Sequence, residues 1–128
     1  MGQSLSYSEF SILVVEDDPI IRMDAVDLCE DAGFSVHEAK NSSVALSLLQ
    51  QHPDIRILFT DIEMPGDMDG LMLAHAVHNC CPTIKIIIAS GKLKVAEDNL
   101  PSGSLFLQKP YRPSLVAKAL NDFAAQIS

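Results

Sequence analysis

Four apolar runs in this chain each stop at a residue able to handle a metal ion or a phosphoryl group. Ser11-Ile12-Leu13-Val14-Val15 stops at Glu16-Asp17-Asp18. Ile55-Arg56-Ile57-Leu58-Phe59-Thr60 stops at Asp61. Thr83 to Ala89 stops at Ser90, and Leu105-Phe106-Leu107 at Gln108-Lys109-Pro110. Grouped carboxylates repel one another unless a cation neutralises them. An all-oxygen set favours a hard ion, and a sparse set completed by water favours Mg²⁺ over a fully caged Ca²⁺. Asp17 and Asp61 are the obvious ligands. Beside such an ion, Lys109 as a point charge and Ser90 as a donor would complement a phosphoryl group. The set holds no Cys or His, so the nucleophile for phosphoryl transfer would be a carboxylate, and Asp61 is best placed. Taken singly, an Asp after a buried strand is more often a helix cap or turn residue. The joint occurrence of the four types carries the reading.

The elements that must position these residues follow from periodicity. The five-residue aliphatic run ending at Val15 has the pattern of a strand covered on both faces. Pro19 suits a first helical turn, with Asp17 or Asp18 as cap, and Gly33 stops that helix after about Ala32. Phe34 to Glu38 is a short second strand. Asn41-Ser42 opens a helix through Gln51, closed by Pro53. The third strand ends at Asp61, and Pro65-Gly66 and Asp69-Gly70 punctuate the loop after it. A third helix covers Leu71 to Asn79, and the fourth strand covers Thr83 to Ala89. Leu93 to Asn99 has weak helical character before Pro101-Ser102-Gly103. The fifth strand is Leu105 to Leu107. Pro113 begins a last helix with Leu115, Val116, Ala119, Leu120 and Phe123 as its apolar stripe.

Five strand–helix alternations imply an α/β fold: a flavodoxin-like, doubly wound parallel sheet in order 2-1-3-4-5 with five helices. Helix four is expected to be short or irregular. Sites in such sheets lie outside the carboxyl ends of the strands, where these acids, hydroxyl and amine fall. Residues 1–9 are expected to be a flexible leader and 10–128 one domain.

Composition narrows the class. The 128 residues carry 9 Lys+Arg against 17 Asp+Glu, a formal net charge of −8. That balance argues against a nucleic-acid-binding module and against docking on anionic lipid. Apolar runs such as Ile86-Ile87-Ile88-Ala89 are too short to span a bilayer. Cys29, Cys80 and Cys81 are odd in number and lack zinc spacing, so free thiols in a reducing cytosol are expected. Met1-Gly2-Gln3-Ser4-Leu5-Ser6 matches an acylation pattern, but a polar leader is the simpler reading.

Taken in order, the motifs Leu13-Val14-Val15-Glu16-Asp17-Asp18, Thr60-Asp61-Ile62-Glu63-Met64-Pro65-Gly66, Asp69-Gly70, Ile88-Ala89-Ser90-Gly91 and Gln108-Lys109-Pro110 are specific. The chain resembles the receiver domain of bacterial two-component response regulators, of the stand-alone type similar to CheY, from about Ser11 to Ile127. The resemblance implies Asp61 as phosphoacceptor and Asp17 as the main Mg²⁺ carboxylate. It implies Glu16 acting on the ion through water, and the Glu63 main-chain carbonyl as a further ligand. Ser90 matches the switch hydroxyl, Lys109 the phosphoryl-binding lysine and Phe106 the switch aromatic. Lys109-Pro110 matches a peptide bond that is usually cis. The implied partners are a sensor histidine kinase or a histidine phosphotransfer protein, and a downstream protein effector. The expected state is cytoplasmic, a monomer or weak phosphorylation-dependent dimer, and no enzyme beyond self-phosphorylation and self-dephosphorylation at Asp61.

Two features depart from the family pattern. The loop after Asp61 is one residue longer than its commonest form, and the extra acid, Asp67, is expected to face solvent. The segment from Ser90 to Lys109 is short, which puts standard dimerisation in doubt. His75 and His78 are expected on a solvated helix flank rather than on a metal. Asp67-Met68-Asp69-Gly70 begins like a calcium loop that the following residues do not continue. Met64, Met68 and Met72 are expected to pack the loop.

The main alternative is a Mg²⁺-dependent phosphatase of small phosphate esters with a carboxylate nucleophile. Such enzymes usually place a second Asp two residues after the nucleophile, where this chain has Glu63, and add a cap domain. An FMN carrier is the third reading, but the first strand end carries acids in place of a hydroxyl- or glycine-rich phosphate loop.

Overall fold

The structure, a computed structural model, describes residues 10–91 and 99–127. In chain order these fold as β1 (Ser11–Val15), α1 (Pro19–Asp31), β2 (Ser35–Ala39), α2 (Ser42–Gln51), β3 (Ile55–Asp61), α3 (Gly70–Cys80), β4 (Lys85–Ser90), β5 (Leu105–Gln108) and α4 (Pro113–Ile127). All strand pairs are parallel, and the sheet order is β2-β1-β3-β4-β5. Five strands in this order, with helices between them, make the doubly wound architecture expected from the alternation. The described residues hold four helices. The weak helix expected over 93–99 rests on residues 92–98, which lie outside the described residues, as does the leader.

Parallel strands at the centre of such a sheet must be apolar on both faces. β1, β3 and β4 are buried almost throughout, whereas the edge strands β2 and β5 are mostly half-buried or exposed. Successive residues of β1 enter opposite layers. Ile12 and Val14 join Phe59, Ala25, Leu120 and Phe123 beneath α1 and α4, and Leu13 and Val15 join Leu58, Ala45, Leu73 and Val77 beneath α2 and α3. Val116, Ala119, Leu120 and Phe123 of α4 are buried as expected, but Leu115 is 47% exposed and lies off that stripe. One position along a helix turns a side chain by about 100°, which carries Leu115 off the seam that its neighbour Val116 occupies.

Two helix starts match the sequence reading, and a third, at Asp69, was read there only as loop punctuation. Asp18 caps α1, its carboxylate accepting from the Ile20 and Ile21 N–H groups at 2.9 and 3.2 Å. Asn41 caps α2 through the Val44 N–H at 2.9 Å, and Asp69 caps α3 through the Met72 N–H at 2.9 Å. Each bond satisfies a donor that the helix leaves unpaired. Asn41→Ala is expected to cost about 1 kcal/mol of folding free energy, read as a lower urea midpoint with an unchanged slope. A midpoint equal to wild type would show that the cap contributes nothing.

The thiols are free, with Cys29 buried, Cys81 half-buried and Cys80 exposed. Met64 is buried and Met68 packs on the core, but Met72 is exposed, so only two of the three methionines pack the loop.

Candidate functional site

Parallel register brings the strand ends together. Val15 pairs with Thr60, Asp61 with Ala89, and Ser90 with Gln108. The residues just beyond Val15, at Asp61 and Ser90, and just after Gln108 therefore share one edge. Glu16 and Asp61 are 2% and 3% exposed, while Asp17 is open to solvent. Carboxylate oxygens of Glu16, Asp17 and Asp61 lie within 4.8 Å of one another.

Lys109 reaches into this group. Its Nζ donates to Glu16 Oε1 at 2.7 Å and sits 3.0 Å from Asp61 Oδ1. Burial alone would lower the lysine's pKa, but the bonds to Glu16 and Asp61 outweigh it and hold the ammonium above its ordinary value. Glu16 is fixed from several sides. Its Oε2 accepts from the Asp18 N–H at 3.2 Å, its carbonyl from Arg22 at 2.9 Å, and its own N–H donates to the Ala39 carbonyl. The cis Lys109-Pro110 bond expected from the motif is present, and the Lys109 N–H donates to the Ser90 carbonyl at 2.9 Å.

Asp61 is the least comfortable member. Its carboxyl is pushed up to about 6, first by burial and then by Glu16 and Glu63, with Lys109 pulling the other way. The Lys109 ammonium at 3.0 Å is the one partner of buried Oδ1 among the described residues, an ion pair that falls short of a well-directed hydrogen bond. Lys109 offsets only one of the three carboxylate charges, and every other donor is oxygen. This set fits Mg²⁺, which takes one or two carboxylates and keeps several waters.

One contact was not legible in the sequence. Ser90 Oγ donates to Glu63 Oε2 at 2.6 Å, and the Gly91 N–H donates to Glu63 Oε1 at 3.2 Å. The Glu63 carboxylate thus holds the hydroxyl of the fourth strand end. An acid and a serine 27 positions apart give no signal in spacing. Phe106 is half-buried on β5, paired with Ile88. Asp67 is exposed, as expected of the lengthened loop. His75 and His78 are half-buried rather than fully solvated, and His75 Nε2 lies 2.5 Å from the Asn99 carbonyl oxygen.

A doubly wound parallel sheet with an oxygen-only acid cluster, a lysine and a hydroxyl at its carboxyl edge is the arrangement of an α/β domain suited to a hard cation and a phosphoryl group. The family model for the response regulator receiver domain matches residues 12–121. The response regulator receiver protein CpdR of Brucella abortus (strain 2308) is 36% identical over 103 residues, covering 78% of this chain and 84% of CpdR. The sensor kinase CckA of the same organism is 33% identical over 119 residues, covering 88% of this chain; the chain spans only 12% of that kinase's length. A crystal structure of a response regulator receiver domain protein from Clostridium thermocellum matches with TM-score 0.82 at 25% identity, covering 91% of this chain and 95% of that one. The chain belongs to the response regulator receiver domain family. A receiver domain is a phosphoacceptor of two-component signalling rather than an enzyme, and receiver domains bind Mg²⁺. Among the described residues no helix is long and apolar enough to cross a membrane.

Proposed function

We propose that Asp61 accepts a phosphoryl group from a phosphohistidine, carried by a sensor histidine kinase or a phosphotransfer protein, and that the modified domain binds a downstream protein. The observation that carries this reading is the Asp61 carboxylate: buried at the strand edge, clustered with Glu16 and Asp17, 3.0 Å from the Lys109 ammonium and pushed up to about 6. A group held so far from comfort, in a polar cluster, is where chemistry is to be sought.

Asp17 and Asp61, with the Glu63 main-chain carbonyl and Glu16 through water, would hold Mg²⁺, which when bound neutralises charge on phosphoryl oxygens. The Asp61 oxygen attacks phosphorus in line. A P–O bond forms, the P–N bond to the imidazole breaks, and the donor histidine leaves as a neutral ring once protonated. Lys109 already sits between Glu16 and Asp61, so it meets the incoming phosphoryl oxygens without a long movement. Ser90 must leave Glu63 to donate to the new group. Phe106 would then fill the space that Ser90 vacates, altering the surface around β5. The result is a two-state shift biased by one charged group.

The adjoining surface suits a protein donor. Ile20 and Met23 of α1 are exposed large apolar residues, two and five positions after the Asp18 cap. A groove of about 500 Å³ between α1 and the segment 109–113 is lined by Ile21, Leu28, Pro110 and Tyr111, with Asp24, Asp27 and Lys109. Apolar side chains gathered next to a reactive carboxylate mark a place for a partner helix.

Incubation with Mg²⁺ and a small phosphodonor tests the proposal by intact mass. The wild-type chain is expected to gain one phosphoryl group, and Asp61→Ala none. Labelling that survives Asp61→Ala, or none in wild type, would overturn it.

A further inference from the structure

At the other end of the sheet, three side chains with a different chemistry come together. Asp54 precedes Asp61 by the length of β3, roughly 23 Å at about 3.3 Å per residue, so this group is separate from the acid pocket. His37 lies at the middle of edge strand β2, opposite Leu13. His52 caps the end of α2, and Asp54 stands immediately before β3. His37 Nε2 is 3.3 Å from Asp54 Oδ2, and His52 Nδ1 is 4.0 Å from Asp54 Oδ1. The two imidazoles stack, with centroids 4.1 Å apart and planes 24° apart. One donor atom from each of the three lies within 4.8 Å of the others.

We propose that His37, His52 and Asp54 form a binding site for a transition-metal dication of the zinc class. Two imidazole nitrogens and one carboxylate oxygen suit Zn²⁺, Co²⁺ or Ni²⁺, whereas Mg²⁺ and Ca²⁺ prefer oxygen alone. Two donors at about 2.1 Å from a tetrahedral ion stand about 3.4 Å apart. The His37–Asp54 pair already has that spacing; the half-exposed His52 ring must leave its stack on His37 and rotate so that its Nδ1 lone pair meets the same ion as the third donor. Solvent reaches all three residues, so water completes the coordination shell.

The backbone and a buried neighbour hold the site in advance. The Ser11 hydroxyl, from a residue 1% exposed, donates to Asp54 Oδ2 at 2.7 Å, and the Ser11 N–H donates to the Asp54 carbonyl at 2.8 Å. A fixed outer hydrogen bond of this kind orients a ligating carboxylate. The His52 N–H donates to the Leu48 carbonyl and its carbonyl accepts from Ile55 N–H, which pins the turn carrying His52. A bound ion would join the edge strand β2 to the α2–β3 turn.

The test is titration of the full chain with ZnCl₂ in excess Mg²⁺, which keeps the acid pocket occupied. A Cys80→Ser/Cys81→Ser background removes competing thiols. One Zn²⁺ per chain is expected, with affinity at least tenfold weaker in His37→Gln and in His52→Gln, and weaker also in Ser11→Ala. The imidazole ¹⁵N resonances of His37 and His52 in the background chain are expected to shift on zinc addition, a readout that needs no ligand variant. The proposal is overturned if no saturable uptake occurs, if affinity is unchanged in both histidine variants, or if only His75 and His78 shift.

Discussion

Gly70→Ala is expected to cost about 3 kcal/mol or more of folding free energy and to pull Asp61 out of place. Gly70 is the first residue of α3 and is buried. A Cβ there would stand 1.6 Å from the Asp61 carbonyl oxygen, 2.6 Å from its carbonyl carbon and 2.9 Å from the Ile62 Cα. All three are backbone atoms, so no side-chain rotation relieves the clash. The Gly70 N–H also donates to the Ile62 carbonyl at 2.9 Å, so separating the two segments breaks a bond as well. Overpacking a core usually costs 1–3 kcal/mol, and a clash with fixed backbone belongs at or beyond the top of that range. For a domain of this size about 3 kcal/mol lowers the melting temperature by roughly 10 °C. Gly91→Ala is the control, because a Cβ there meets nothing within 4 Å. A Gly70→Ala melting temperature within about 2 °C of wild type would refute the close approach. Slowed phosphoryl labelling in whatever protein stays folded is the second expected sign, since the helix start and Asp61, the proposed phosphoacceptor, share that contact.

Gly70 also marks where sequence reasoning stops. In sequence, Asp69-Gly70 reads as loop punctuation, and nothing in it says that α3 returns to touch the end of β3. The strand ends were legible because three central strands, buried on both faces, leave long apolar runs that only Glu16, Asp61 and Ser90 interrupt. The helix starts at Asp18 and Asn41 were legible because capping is local, the side chain reaching an N–H two or three residues on; Asp69 caps α3 in the same way but reads in sequence only as part of a loop. The Ser90–Glu63 bond was not, because it depends on the path of the loop after β3. Leu115 shows a finer limit. It is apolar and adjacent to the seam of α4, and only the rotation of the packed helix decides that Val116 faces inward. The His37–His52–Asp54 group is of the same kind as the Glu63 contact, made by the β1–β2 and β1–β3 registers and not by any local spacing.

Asp61→Asn is expected to stabilise the metal-free chain near neutral pH, by up to roughly 3 kcal/mol. The ordinary aspartate value of 3.8 rises to about 6 here, first through burial and then through Glu16 and Glu63, and each pH unit of difference is worth about 1.4 kcal/mol. Below about pH 4 the carboxyl is protonated in both folded and unfolded chains, so wild type and variant differ little. Between about pH 4 and pH 6 the unfolded chain gives up its proton while the folded chain keeps it. The unfolded form then binds fewer protons, and wild-type stability falls as pH rises. Above about pH 6 the full penalty persists. Asn keeps the shape and carries no charge, so it escapes the penalty. Lys109 is not stranded by the change, because Glu16 holds it at 2.7 Å. Melting curves from pH 4 to pH 8 in chelator therefore separate on the alkaline side, by as much as about 10 °C, and converge on the acid side. Added Mg²⁺ narrows the gap, because binding to the folded form stabilises wild type by mass action, while the variant has lost a ligand oxygen's charge. Equal melting temperatures at pH 7.5 without Mg²⁺, or a gap that does not change with pH, would show that Asp61 is not held against its preference. The reactive carboxylate is then both what suits the pocket for accepting a phosphoryl group and what the fold tolerates at a cost. That cost is relieved by the divalent ion that the proposed function brings to the site, which also offsets the further negative charge of the phosphoryl group.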